Sequence, residues 1–250
     1  MKILPTVLFV LITIMLLIPN SASAQTPLPK ISVSVEEANT PQEVAQSIQI
    51  VILLTILALA PSILIMVTSF SRITIVFHFL RSALSTQTVP SNQILVSLAL
   101  FLTFFIMRPV FDEINTNAIQ PYLNAAISQQ VAVQETVKPI KTFMLKHVGE
   151  KELELFVNIS GATKPQTPDE LKLSTIIPAF IISEIKIAFQ IGFLIYLPML
   201  LIDLIIASIL LSMGMMMLPP VMISMPFKLL LFVLVDGWYL IVESLVKGFL

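Results

Sequence analysis

The stretch IAFQIGFLIYLPMLLIDLIIASILLSMGMMMLPPVM, residues 187–222, decides what kind of protein this is. From Ile187 to Leu211 it is apolar except for a few scattered polar side chains and one carboxylate, Asp203. At a rise of about 1.5 Å per residue such a helix exceeds the roughly 30 Å of a bilayer's hydrocarbon core. Then the pattern breaks. Gly214, Pro219 and Pro220 interrupt helical hydrogen bonding, because proline lacks an N–H and glycine weakens a helix. Six of the chain's twelve methionines fall between Met213 and Met225. No charged residue lies between Asp203 and Lys228, so nothing marks this turn as water-exposed. Broken backbone at membrane depth is tolerated only where it is buried in protein or lines a cavity. Residues 213–225 therefore read as an apolar hairpin tip or broken helix shielded by other protein.

Met215, Met216 and Met217 are consecutive and cannot share one helical face. Methionine is unbranched and polarizable, so it suits a surface that must conform to changing shapes. Two readings fit: a deformable apolar seal made by loops from several subunits, or gap-filling in a membrane core.

Composition agrees with the membrane reading. Of 250 residues, 56% are hydrophobic and 12% charged, with a mean hydropathy of +0.95. A soluble domain carries about 25% charged residues. The chain is expected to be an all-α integral membrane protein, with long kinked helices in two hairpins and a small, mostly helical polar segment between them. A net charge of -1 argues against nucleic acid as a partner. The absence of cysteine excludes disulfides, thiol catalysis and thiolate metal sites. His78 and His147 lie far apart with no motif around them, and no metal or cofactor is expected.

Residues 1–24 have the form of a secretory signal peptide: Lys2, an apolar core, then Ala22-Ser23-Ala24 as a cleavage site. An uncleaved anchor helix is the other reading. Residues 25–46 read as a flexible polar arm. The first apolar hairpin, 47–111, holds a span at Ile48 to Phe70, kinked at Pro61, and the apolar run from Ile94 to Met107. That run is short for a span and ends at Arg108-Pro109, so it must snorkel, thin the bilayer or be sheltered. Residues 112–175 carry fourteen of the 29 charged residues and form the polar segment. Thr167 or Asp169 is expected to cap the helix that follows. The second hairpin, 176–250, holds spans at about Ile187 to Leu211 and Phe227 to Val246. A cleaved signal peptide places the polar segment outside the cytoplasm and 71–93 inside. That inside loop has Arg72 and Arg81 and no acid, as the positive-inside rule asks.

Glu184, Lys186, Asp203, Lys228 and Asp236 interrupt the last two spans. Each costs about 2.5–3.5 kcal/mol at a bilayer centre, so each should face protein or a water-filled cavity. Glu184 and Lys186, two apart, cannot pair with each other on a helix. Either the five carry ions or protons, or they join helices and subunits. An aspartyl protease dyad of Asp203 and Asp236 lacks the G-x-G-D pattern.

Four stretches carry a family resemblance: LAPSILIMVTSFSRI (59–73), LALFLTFFIMRPV (98–110), PAFIISEIKIAFQIGFLIYLPMLLIDLIIASILLSMGMMMLPP (178–220) and PFKLLLFVLVDGW (226–238). Together they resemble the FliP family of flagellar type III export-gate proteins, related to the SctR proteins of virulence secretion. The resemblance covers nearly all of the chain after residue 24. The signal peptide and the Pro219-Pro220 pair resemble the flagellar branch; Ile185, where the family often has leucine, is a conservative departure. The resemblance implies a non-enzymatic subunit, described as a pentamer, assembling with FliQ and FliR in the inner membrane at the flagellar basal body. FlhA and FlhB work with that complex, FliO assists its assembly, and unfolded flagellar subunits pass through it. It further implies that Met215, Met216 and Met217 form a gasket around the closed pore. The raised position of such a complex would account for the short 94–107 run and the tolerated charges. A stand-alone ion channel or secondary transporter is the competing class.

Overall fold

A computed structural model describes residues 41–160, 167, 170–215 and 217–249. The expected signal peptide (1–24), the arm as far as residue 40, Asp169 and Met216 lie outside the described residues. The chain divides into two compact units, Met1–Val51 and Ile52–Leu250. Of the first, residues 41–51 are described, and they are helical.

Among the described residues the fold is entirely helical. Helix α1 (Pro41–Val67) begins where the arm was expected to continue and runs on through Pro61. It ends at Thr68 and Ser69, short of the expected boundary at Phe70. The break is held by side chains: Thr68 Oγ1 donates to the carbonyl of Leu64 at 2.7 Å, and Ser71 Oγ to that of Ile65 at 2.9 Å. Hydroxyls that accommodate freed carbonyls this way compete with the helical ladder. Helix α2 (Phe70–Ala83) follows. Here the structure corrects the sequence reading. Most of the loop expected at 71–93 is a packed helix, as far as Ala83, and Arg72 is buried in it. Ile73, Val76, Phe77 and Leu80 recur at helical spacing and are all buried.

Helix α3 (Asn92–Ile114) also differs from expectation. It does not stop at Arg108-Pro109 but continues through a π-helical turn (Asn115–Ile119) into the short helix α4 (Gln120–Leu123). The continuous run Asn92–Leu123 is 32 residues, long and apolar enough to cross a membrane, so the shortness of 94–107 disappears. Proline removes one backbone bond without ending a helix whose flanks are otherwise fixed. Val110 and Ile114, beyond Pro109, are buried in the core and fix that flank.

The polar stretch supplies α5 (Gln129–His147) and α6 (Glu150–Ile159). Then comes α7 (Leu173–Ser212), a helix of 40 residues that passes through Pro178 and Pro198. Its N-cap is Lys172, without a side-chain cap, rather than Thr167 or Asp169. The expected fourth span is two helices, α8 (Pro220–Leu234) and α9 (Gly237–Lys247), bent by 63°.

The core lies where α2, α3, α5, α7 and α9 meet, around Phe77, Met107, Met144, Phe180 and Leu245. On α7, Ala179 and Ser183 are four apart, as are Ala188 and Gly192, and all four are buried. Small residues at this spacing let helices approach closely, which matters where lipid weakens the hydrophobic drive between helices. At Gly192 a Cβ would lie 2.5 Å from the ring of Phe79 on α2. Elsewhere α7 presents large apolar side chains outward, including Phe193, Leu194, Leu201 and Leu204. The same holds for Ile52 to Met66 on α1.

The bend between α8 and α9 is made by Asp236, which is left-handed (φ 51°, ψ 51°), followed by Gly237. A Cβ at Gly237 would lie 2.2 Å from the ring of Phe232. Gly237→Ala is therefore expected to lower stability by about 1–3 kcal/mol through overpacking, and adding Phe232→Leu should recover part of that loss. Thermal unfolding of the purified variants in detergent measures both.

Candidate functional site

A charge buried in an apolar fold must find a partner or be neutralised. The five charges singled out in the sequence meet this demand in different ways.

Glu184 sits on α7, completely buried, and its partner is Arg72 of α2. Arg72 Nε donates to Glu184 Oε2 at 2.8 Å, and Nη2 donates to Oε1, a two-pronged pair. This is the geometry that guanidinium and carboxylate favour. The other Arg72 nitrogen, Nη1, donates to the carbonyl of Gly248 at 3.3 Å. The guanidinium carbon stands 3.8 Å from the centroid of the Phe249 ring, a cation–π contact. Phe249 in turn stacks on Phe143 of α5 at 6.1 Å and lies 5.1 Å from His147. One arginine thus ties α2 to α7, to the end of α9 and, through Phe249, to the polar helices. His147 carries a cost of this crowding. Burial, then the positive charges of Arg72 and Lys146, lower its pKa from 6.5 to about 4. Its Nε2 is buried without a hydrogen-bond partner.

The second constellation lies lower on α7. Lys228 of α8, almost fully buried, donates to Asp203 Oδ2 at 2.6 Å and to Ser85 Oγ at 2.8 Å. Ser224 Oγ donates to the other Asp203 oxygen. Ser85 is in the turn after α2 and is left-handed, with φ 60°. Four side chains from three parts of the chain therefore satisfy one another. Lys186 differs: its ammonium is half-exposed and donates to Glu152 Oε1 of α6 at 2.7 Å. That bond holds the Glu152 carboxyl below its usual range. Beside it, Ser183 Oγ accepts from the Gly149 backbone N–H at 2.9 Å. Asp236 makes no side-chain cap bond and lies exposed at the α8–α9 bend. So Glu184, Lys186, Asp203 and Lys228 all find partners within this chain, and no two of the five except Asp203 and Lys228 meet.

Beyond the Asp203–Lys228 pair, past the end of α7, the hairpin reaches its tip. Met215 N–H donates to the Leu210 carbonyl and Gly214 N–H to that of Leu211, both at 3.0 Å. This is a Schellman cap, and it needs a left-handed residue, supplied by Gly214 at φ 74°. Pro219 and Pro220 then open α8, Pro220 at a first-turn position where its missing N–H costs nothing. The glycine and prolines are thus stop and start signals of a helical hairpin. Among the described residues its tip is apolar and open: Met217 is 98% exposed, with Met213 and Met222 also outward.

Arg72, Ser85, Ser224 and Phe249 escaped the sequence reading. Only Arg72 left a signal, sitting within the apolar period of Ile73, Val76, Phe77 and Leu80.

The helices and buried ion pairs define an all-α, membrane-embedded protein whose polar side chains join helix to helix. Comparison with known proteins makes the class specific. The FliP family model matches residues 53–245. The chain is 52% identical over 217 residues to the flagellar biosynthetic protein FliP of Bacillus subtilis, covering 87% of this chain and 98% of that protein. To FliP of Aquifex aeolicus it is 46% identical over 236 residues, covering 94% of this chain and 97% of that protein. To FliP of Treponema pallidum it is 44% identical, covering 92% and 86%. The chain belongs to the FliP family. It is accordingly a membrane-embedded component of the flagellar export apparatus and not an enzyme.

Removing one partner of the buried Arg72–Glu184 pair should destabilise the chain by about 3–5 kcal/mol, because it strands the other charge. Arg72→Met and Glu184→Leu are each expected to unfold far more readily than the double variant, in which no charge is stranded. Denaturation of all four proteins in one detergent gives the coupling directly.

Proposed function

We propose that this chain is a pore-forming subunit of the flagellar type III export gate, and that its Met-rich hairpin tip seals the closed pore. The observation that carries the reading is the tip itself. A stem of α7 and α8, tied by Asp203, Lys228 and Ser224, holds up a tip at which Met213, Met217 and Met222 are exposed among the described residues. An exposed apolar surface needs a partner, lipid or protein, and a broken hairpin tip at membrane depth is tolerated where protein or a cavity shelters it. Here the contact is with the same tip on neighbouring copies. Several tips converging on an axis would close it with side chains that deform as a substrate passes and then re-pack.

In this reading the copies form a homo-oligomer, a pentamer in the family pattern, with FliQ and FliR completing the complex. FlhA and FlhB engage it, FliO assists its assembly, and unfolded flagellar subunits pass through it. It works in the bacterial inner membrane, with the polar helices α5 and α6 on the periplasmic side. The outward apolar side chains of α1 and α7 are available for lipid and for these neighbours. Glu184, Lys186, Asp203 and Lys228 serve packing rather than proton transfer: each is already paired within the fold. Asp236 serves the bend between α8 and α9.

Replacing Met215, Met216 and Met217 together by serine should make the assembled complex leak small ions without disassembling it. Planar-bilayer conductance with the purified complex reads the effect. Unchanged conductance in an intact mutant complex would remove the seal.

A further inference from the structure

One concavity takes no part in the ion pairs or the Met-rich tip. A cleft of about 750 Å³ opens between α2, the start of α3 and the middle of α7. That is the size of an ordinary small-molecule site, about 300–1,000 Å³. Its walls differ in character. Along one run Thr74, His78 and Ser82 of α2, four residues apart, so a polar stripe lines it. Across from them are the apolar side chains of Leu95, Val96 and Phe189, with Asn92 and Tyr196 from the same two helices beside them.

One polar group of the cleft has no partner. Thr74 Oγ1 is buried with no hydrogen bond. Arg81, just outside the lining, reaches one of its residues, with Nη2 3.4 Å from His78 Nδ1. Among the described residues no carboxylate pairs with Arg81, and residues 71–93 contain no acid at all. A guanidinium beside an apolar cleft, with no anion of its own, is matched by an external one. Its planar fork suits a phosphate in particular.

We propose that this cleft binds a phospholipid with an anionic headgroup. The phosphate sits on Arg81 beside His78, and an acyl chain lies along Leu95, Val96 and Phe189. Charge complementarity selects the anionic headgroup. The apolar wall selects a lipid over a free phosphate, which would gain nothing from it. Juxtamembrane arginines attract anionic lipid surfaces in general; here the cleft turns that attraction into a defined seat. The cleft also includes Phe79 and Phe189, whose rings meet edge to face at 4.9 Å between α2 and α7, so an occupant would brace that contact.

The test uses the full chain, purified in detergent in its native oligomer, with phosphatidylglycerol and phosphatidylcholine as probes. Native mass spectrometry reads bound lipid, and a thermal melt reads stabilisation. Phosphatidylglycerol should bind and raise the melting temperature, with phosphatidylcholine about tenfold weaker, the size of one charge-assisted contact. Arg81→Gln should bring phosphatidylglycerol down to the phosphatidylcholine level. Val96→Trp, which fills the cleft and leaves the cation in place, should remove binding of both with the oligomer intact. Equal binding of the two lipids, or full phosphatidylglycerol binding by either variant, overturns the proposal. So does binding of water-soluble glycerophosphoglycerol as tightly as the whole lipid. Finally, Val96→Cys in this otherwise cysteine-free chain should not cross-link to a neighbouring copy; efficient cross-linking would mean that a second subunit fills the cleft.

Discussion

Everything in this fold is arranged around the need to pair a buried arginine. Arg72 and Glu184 lie 112 residues apart and both are buried. Neither can stay there alone, because an unpaired ion in an apolar interior costs several kcal/mol. Their pairing sets α2 against α7, and Gly192 leaves room for Phe79 of α2. The unused nitrogen and the flat face of the guanidinium then recruit Gly248 and Phe249. Phe249 reaches Phe143 and His147, so the polar helix α5 is bound to the same point. Such a junction fixes geometry more than it adds stability.

From that junction α7 extends to the hairpin tip. Two further contacts set its stiffness. Asp203, Ser224, Lys228 and Ser85 lock the stem to the turn after α2. The Schellman cap at Gly214 and the prolines at 219 and 220 turn the chain sharply, leaving only a few residues between the helices. A rigid stem with a soft tip follows. In the proposed seal the division of labour is physical: the Asp203, Ser224 and Lys228 contacts hold the stem, while unbranched methionines would supply a surface that can change shape. The broad apolar faces of α1 and α7 are those of helices long and apolar enough to cross a membrane, open to lipid or to other protein.

Much of this was legible in the residues. The all-α membrane class follows from apolar runs too long for anything else, and Gly214 with Pro219-Pro220 marked the tip. Other features depended on tertiary contacts. Arg72 was read as a loop cation because a charge normally ends an apolar run; only its distant partner makes burial possible. That removes one of the two loop cations used to argue orientation, leaving Arg81. Pro109 was read as an end, yet α3 continues because Val110 and Ile114 are held by the core beyond it. The bend at Asp236-Gly237 was missed although an Asp-Gly pair is a turn signal, because the surrounding run is so uniformly apolar. The partners Ser85 and Ser224 left no trace: a serine in an apolar segment is common, and only proximity gives it a role.

The central claim is that copies of the chain meet at the hairpin tip. The absence of native cysteine makes this directly measurable. With Met217→Cys as the sole cysteine, the assembled complex is oxidised in the absence of export substrate. The account predicts efficient disulfide cross-linking between copies at position 217. An intact, export-competent complex in which residue 217 never cross-links to another copy would contradict it.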